Sequence, residues 1–260
     1  MKNFFTLLIF GCLFLSCSDD SNEATFSTPS TTDLASKPEA DPEFDNSYKG
    51  IYKGVVIGGV SGAIYVDILN DNKIWAKLKT TNRATYILEE VPLSGSGKST
   101  DPTLNKYRFA NENVSFDLEL DDNGNNITVS NFEYFSDKNS KVCLLKERSA
   151  SLIKCYAGRF TSFNEEGSVN FTSEGDLTVI GLSKKIFSKD YTSVTGEIDI
   201  AFPNDGIIDS ENEIEPNTQY RLNANLHIGQ ISGYLKKNAF DGNWMNDGNE
   251  LGKWSADRIL

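Results

Sequence analysis

Apolar residues recur at every second position through much of the chain from Tyr48 onward. The clearest run is Val114-Ser115-Phe116-Asp117-Leu118-Glu119-Leu120, with four apolar side chains on one face and three polar ones on the other. Ile64/Val66/Ile68, Ile127/Val129, Ile198/Ile200/Phe202 and Leu222/Ala224/Leu226/Ile228 repeat the pattern. A period of two sends alternate side chains to opposite faces, so each run predicts a half-buried strand. Turn-forming clusters fall between the runs: Asn70-Asp71-Asn72, Asp121-Asp122-Asn123-Gly124, Asn164-Glu165-Glu166-Gly167, Glu174-Gly175-Asp176 and Asn246-Asp247-Gly248-Asn249. No window sustains helical spacing; the nearest, Lys184–Tyr191, is weak. The pattern predicts an all-β, mostly antiparallel body.

Internal echoes divide that body. Tyr48-Lys49-Gly50-Ile51-Tyr52 returns as Tyr156-Ala157-Gly158-Arg159-Phe160, and Val60-Ser61-Gly62-Ala63-Ile64 returns around Gly196 and Gly233. Glycine inside a strand marks a bulge, a bend or a close backbone approach, which suits tightly curled sheets. A polar seam, Glu147-Arg148-Ser149-Ala150-Ser151, separates the halves. The expectation is two β units in tandem, 47–149 and 152–260, each a small barrel or an antiparallel β-sandwich. A single large β-barrel is the alternative.

The first residues are patterned differently. Lys2 precedes an apolar run from Phe4 to Leu15, shorter than the roughly 20 residues a membrane-spanning helix needs. The run ends at Cys17 and turns at once into Ser18-Asp19-Asp20-Ser21-Asn22-Glu23. This layout resembles a bacterial lipoprotein signal, with 1–16 as signal peptide and Cys17 as the acylated residue. Ile9-Phe10-Gly11-Cys12 fits the lipobox pattern more closely. Cleavage before Cys12 would, however, leave a mature start of Leu13-Phe14-Leu15, where polar residues are needed. The acidic pair after Cys17 resembles the surface-export signal of Bacteroidota lipoproteins and implies a lipid-anchored protein on the outer membrane, facing outward. Residues 18–46 carry only Phe26, Leu34 and Phe44 as sizeable apolar groups. Too little apolar surface is available to offset ordering entropy, so 17–46 is expected to be a flexible acidic tether.

Net charge is −12. Phosphate backbones are bound by basic footprints, so the charge argues against nucleic acid as a partner. The C-terminal stretch has Gly242-Asn243-Trp244, then Gly252-Lys253-Trp254 and the tail Arg258-Ile259-Leu260. Together with the Tyr-x-Gly openings, it is similar to surface lipoproteins of flavobacteria. That resemblance implies a β-sheet repeat domain on the envelope and brings no activity with it.

Several motifs invite chemistry. Gly95-Ser96-Gly97-Lys98-Ser99-Thr100 imitates a phosphate loop, but Pro92 stands where the first glycine belongs and Asp101-Pro102 replaces the required helix, so no nucleotide is expected. Cys143 and Cys155 remain after leader removal, and in an oxidising compartment they would pair, contributing about 3 kcal/mol; two separate buried thiols are the alternative. His227 is the one histidine, which excludes a Ser-His-Asp triad and a multi-histidine zinc site within this chain. Asn204-Asp205-Gly206 resembles part of a calcium loop, yet Ala201 and Pro203 would occupy ligand positions, so no metal or other cofactor is expected. A nonstandard site of Asp205, Asp209 and Glu211 stays open. Trp244 and Trp254 should face each other across a hairpin, either as core or as a platform for sugar rings, and Trp75 with Tyr65 offers a second platform. The sequence thus points to a non-catalytic binding or structural module for a glycan, a peptide or an envelope component. A carboxylate-based hydrolase and a lipocalin-like carrier of a small apolar ligand are the alternatives.

Overall fold

The structure, a computed structural model, describes residues 34–93, 104–163, 165–175, 178–201, 219–226, 229–236, 238–246 and 249–260. The first sheet contains β1 (Gly50–Gly58), β2 (Gly62–Ile68), β3 (Ile74–Thr80), β4 (Thr85–Glu90), β5 (Leu104–Ala110), β6 (Val114–Asp121), β7 (Thr128–Tyr134) and β8 (Ser140–Lys146). Its strand order is β7-β6-β5-β4-β3-β2-β1-β8, so β7 and β8 are its two edges. The second contains β9 (Ile153–Ser162), β10 (Glu166–Glu174), β11 (Thr178–Lys185), β12 (Thr192–Ala201), β13 (Gln219–Leu226), β14 (Gly229–Lys236), β15 (Ala239–Asn246) and β16 (Asn249–Arg258). It closes into a barrel through a ladder from Gly252↔Ser162 to Arg258↔Tyr156. The fold is all-β, built as two small antiparallel barrels, one closed and one nearly so, rather than one large barrel.

Alternation sets each interior. Val114, Phe116, Leu118 and Leu120 of β6 point into the first core beside Val66, Leu78 and Phe109. The closed barrel is filled by aromatic side chains, with Tyr156 stacked on Phe171 at 5.1 Å and Phe240 on Trp254 at 6.3 Å. Closure brings backbones close: a Cβ on Gly158 would overlap the carbonyl oxygen of Ser255 on β16.

A third apolar cluster joins the two sheets. The outward side chains Ile51 and Val55 of β1 and Ala63 and Tyr65 of β2 pack on Ile153, Cys155 and Ala157 of β9 and on Ile259 and Leu260. Both faces of β1 are therefore covered, and Gly50 through Ile57 are all buried. A buried ion pair sits in this junction, with Lys53 Nζ 2.8 Å from Glu147 Oε2. Glu147 also accepts from Ile153 N at 2.9 Å and from Glu39 N at 2.8 Å. Asn170, fully buried on β10, donates to Val56 O at 2.6 Å and adds a second polar tie.

The tether expected over 17–46 is corrected for residues 34–46, which lie on the folded body. Ala40 is buried, Glu39 reaches Lys53 at 2.6 Å, Asp41 N donates to Asn70 Oδ1 at 2.8 Å, and Arg258 donates to Ala35 O. Pro42–Phe44 form one turn of 3-10 helix capped by Asp41. Asp45 accepts from the Ser149 N–H and hydroxyl, and these bonds hold its carboxyl below the usual range. Glu147 and Ser149 lie 108 and 104 residues from their partners Glu39 and Asp45, so a polar, apolar-poor segment is ordered mainly by long-range hydrogen bonds, with Ala40 alone buried.

Candidate functional site

β9 begins at Ile153, bonded to the Glu147 that also holds the N-terminal segment, and ends at Ser162, about 30 Å further along the strand. Beyond that end stands a rim of exposed apolar side chains. Phe163, just past β9, is 96% exposed and Phe187, past β11, is 95% exposed; Ile186 beside it is half exposed. Leaving a phenylalanine in water forgoes about 1.5–3 kcal/mol of burial, so two at neighbouring turn tips form a surface that a covering partner would stabilise.

Local hydrogen bonds fix these tips. Ser162 N donates to Glu165 O at 2.7 Å, and Glu165 N donates back to Ser162 Oγ at 3.1 Å, which leaves Phe163 at the outer corner of a closed turn. Ile186 N donates to Glu166 O at 3.0 Å, and Lys185 pairs with Glu165, so the two turns are tied to each other. Lys184 Nζ donates to Ser188 O at 2.7 Å and holds the second tip. Between them lies a cleft of about 540 Å³ lined by Ser162, Phe163, Lys185, Ile186 and Phe187. The rim continues onto the first sheet, where the Tyr191 hydroxyl donates to Asn139 O at 2.6 Å beside the turn that exposes Phe135.

A second, polar cleft of about 690 Å³ lies on the outer face of the closed barrel, lined by Glu197, Asp199, Arg221, Asn223, Asn225 and Gln230 among others. Glu197 and Asp199 stand two residues apart on β12, both exposed, with Asp199 registered opposite Arg221. Two water-exposed carboxylates beside a cation lack the enclosed, apolar setting that separates the roles of a general acid and its partner.

Of the two readings open for Trp244 and Trp254, core or sugar platform, the structure has the core one. Both are 2% exposed and belong to the closed barrel's core. They are not directly opposite each other: the hairpin pairs Asn246 with Asn249, and the ladder sets Trp244 opposite Gly252 and Trp254 opposite Gly242. The glycine that makes room for an indole is Gly233 of β14, where a Cβ would strike the Trp254 ring. Trp254 Nε1 donates to Ser232 O at 3.0 Å. Trp75 stacks on Tyr65 at 5.2 Å and packs, partly buried, against the junction, with Lys77 Nζ 5.0 Å from the Tyr65 ring.

The disulfide expected between Cys143 and Cys155 is not what the structure holds: both are free thiols, packed in the apolar junction from β8 and β9 respectively. Burial raises both, and pushes Cys155 up to about 12. Cys12, Cys17, the Gly95–Thr100 loop, His227, and Asp205, Asp209 and Glu211 lie outside the described residues. No group of acidic, histidine and cysteine residues suited to a metal ion occurs among the described residues. Alternation does not reveal Phe163 and Phe187. Their one sequence signal is an apolar residue set within turn chemistry, beside Asn164-Glu165-Glu166-Gly167 and inside the non-helical Lys184–Tyr191 window. The chain matches no protein-family model, no curated protein and no solved structure.

Proposed function

We propose that this chain is a lipid-anchored protein of the outer-membrane surface, acylated on Cys17, and that its folded body is a non-catalytic binding module. In this reading the apolar rim meets a partner surface of the envelope or its surroundings, at the end of the body away from the N-terminal segment. The observation that carries it is the near-complete exposure of Phe163 and Phe187 on two turns held rigid by their own hydrogen bonds. Rigid apolar tips bind without a large ordering cost, so most of the burial energy is available for association.

Photo-crosslinking side chains at positions 163 and 187, in the full chain on living cells, should capture a discrete partner, while the same group at Asn225 in the polar cleft should not. The double change Phe163→Ser/Phe187→Ser should then weaken association by about 100-fold or more. Crosslinking equally strong at position 225, or none at the rim, would sink the reading. The anchor has its own test: fatty-acid incorporation should vanish in Cys17→Ser and persist in Cys12→Ser.

A further inference from the structure

β7 and β8 follow each other in sequence and are joined by a tight turn, in which Tyr134 N donates to Asp137 O and Asp137 N to Tyr134 O, both at 2.9 Å. Beyond that turn no ladder joins them among the described residues: β7 pairs with β6 and β8 with β1. Each therefore turns one row of backbone N–H and C=O groups toward the other across a slit. Two features keep the strands from zipping together. Asn131, in the middle of β7, has a left-handed backbone (φ 50), and the β6–β7 register shifts between Ser115 and Asp117.

The slit is a cleft of about 590 Å³, lined by Val129 and Phe132 of β7, by Ser140 and Val142 of β8 and by the cations Arg108, Lys138 and Lys141 with Glu133. Its inner wall is apolar, since Val129, Phe132 and Val142 all belong to or pack on the first core. The Ser140 hydroxyl is buried there without a hydrogen-bond partner. At the outer lip Arg108 pairs with Asp117 at 2.7 Å and Lys138 with Glu133 at 3.7 Å, and Lys141 is the cation in excess, in a chain whose net charge is −12.

We propose that the slit receives an extended peptide strand from a partner, with acidic residues alternating with apolar ones. Strand addition would satisfy the backbone groups on both edges, which a side-chain ligand could not do. A period of two sends the peptide's apolar residues toward Val129, Phe132 and Val142 and its carboxylates toward Lys138, Lys141 and Arg108. The Ser140 hydroxyl then gains a backbone group to bond. This site shares no residue with the Phe163–Phe187 rim, so either can fail without the other.

The probes are two blocked eight-residue peptides, (Val-Glu)4 and (Val-Lys)4, added to the full-length protein in detergent. The acidic peptide should bind and slow amide hydrogen exchange across 128–134 and 140–146 by about tenfold or more, and (Val-Lys)4 should bind at least about tenfold more weakly. Lys138→Glu/Lys141→Glu changes two exposed side chains and should cost about tenfold or more in affinity for (Val-Glu)4 without changing the melting temperature. Four results would each overturn the proposal. These are no binding of either peptide, equal binding of both, protection confined to the region of Phe163 and Phe187, or exchange in the free protein already as slow at β7 and β8 as at β9 and β16. The last would mean that the slit is zipped in solution.

Discussion

The two sheets have equal strand numbers and the same antiparallel order of neighbours, yet one closes and the other stops short. Where the second closes, β9 and β16 contribute Gly158 and Gly252, and the backbones approach so closely at Gly158 that any side chain would strike Ser255. In the first sheet the corresponding seam, β1–β8, is paired too and has the same close approach at Gly54 against Cys143. The seam that stays open is β7–β8, whose strands contain no glycine and where β7 carries a left-handed asparagine. Its counterpart β15–β16 is joined at Gly242 and Gly252. Closing a small barrel requires sharp curvature at the last seam, and residues without a Cβ supply it. The filling differs as well. The closed interior holds six buried rings, two of them tryptophans, whereas the open one is largely aliphatic with Tyr52, Phe109, Phe116 and Phe132. Curvature is thus written in glycine positions rather than in hydrophobicity.

The most direct way to break this contrast is Gly158→Val. Overlap with Ser255 and Ala256 should reopen the β9–β16 seam and cost about 5 kcal/mol or more in urea unfolding, while Ser130→Val on β7 should stay within about 1 kcal/mol. Similar costs at the two positions would show that glycine does not decide closure. Glu147→Ala tests whether the sheets act as one body. It removes the buried partner of Lys53, leaving it the half-exposed Glu39, and takes the acceptor from Ile153 N, so it should cost about 3 kcal/mol, and Lys53→Met on top of it should recover part of the loss. A loss below about 1 kcal/mol would mean that the ion pair does not tie the sheets together.

Asp67 sharpens the comparison on the first sheet's side of the junction. Burial raises its carboxyl from 3.8 to about 6. The folded state then holds a proton that the unfolded state has lost, so stability should fall as pH rises from 3.8 to about 6 and level off above. Asp67→Asn should remove that slope and gain about 1 kcal/mol at pH 7; an unchanged pH profile would refute it. The smallest effect concerns the thiols. In native protein at pH 8, Cys143, half-buried on β8, should alkylate at least about tenfold faster than Cys155, fully buried and raised to about 12. Equal rates would mean that the junction opens as a whole.

The alternating runs carried most of the fold. Val114–Leu120 becomes β6 with the predicted residues inward, and the Asn70-Asp71-Asn72 turn joins β2 to β3. What alternation missed depends on distant partners or on where a turn falls. The segment 34–46 is ordered by Glu147 and Ser149, 108 and 104 residues from Glu39 and Asp45, and nothing local signals this. The hairpin pairs Asn246 with Asn249, so it turns before Asn249 rather than about it, and the tryptophans face glycines instead of each other. β1 fails to alternate because it has no wet face, so its run Val55-Val56-Ile57 reads as core without saying which core. The rim was hidden because periodicity describes strands, and Phe163 and Phe187 stand outside them.

β1 serves as a common wall between two rooms. Any load applied between the N-terminal clasp and the far tips would run lengthwise along that wall, in shear, so its ladder bonds would have to yield together rather than one after another.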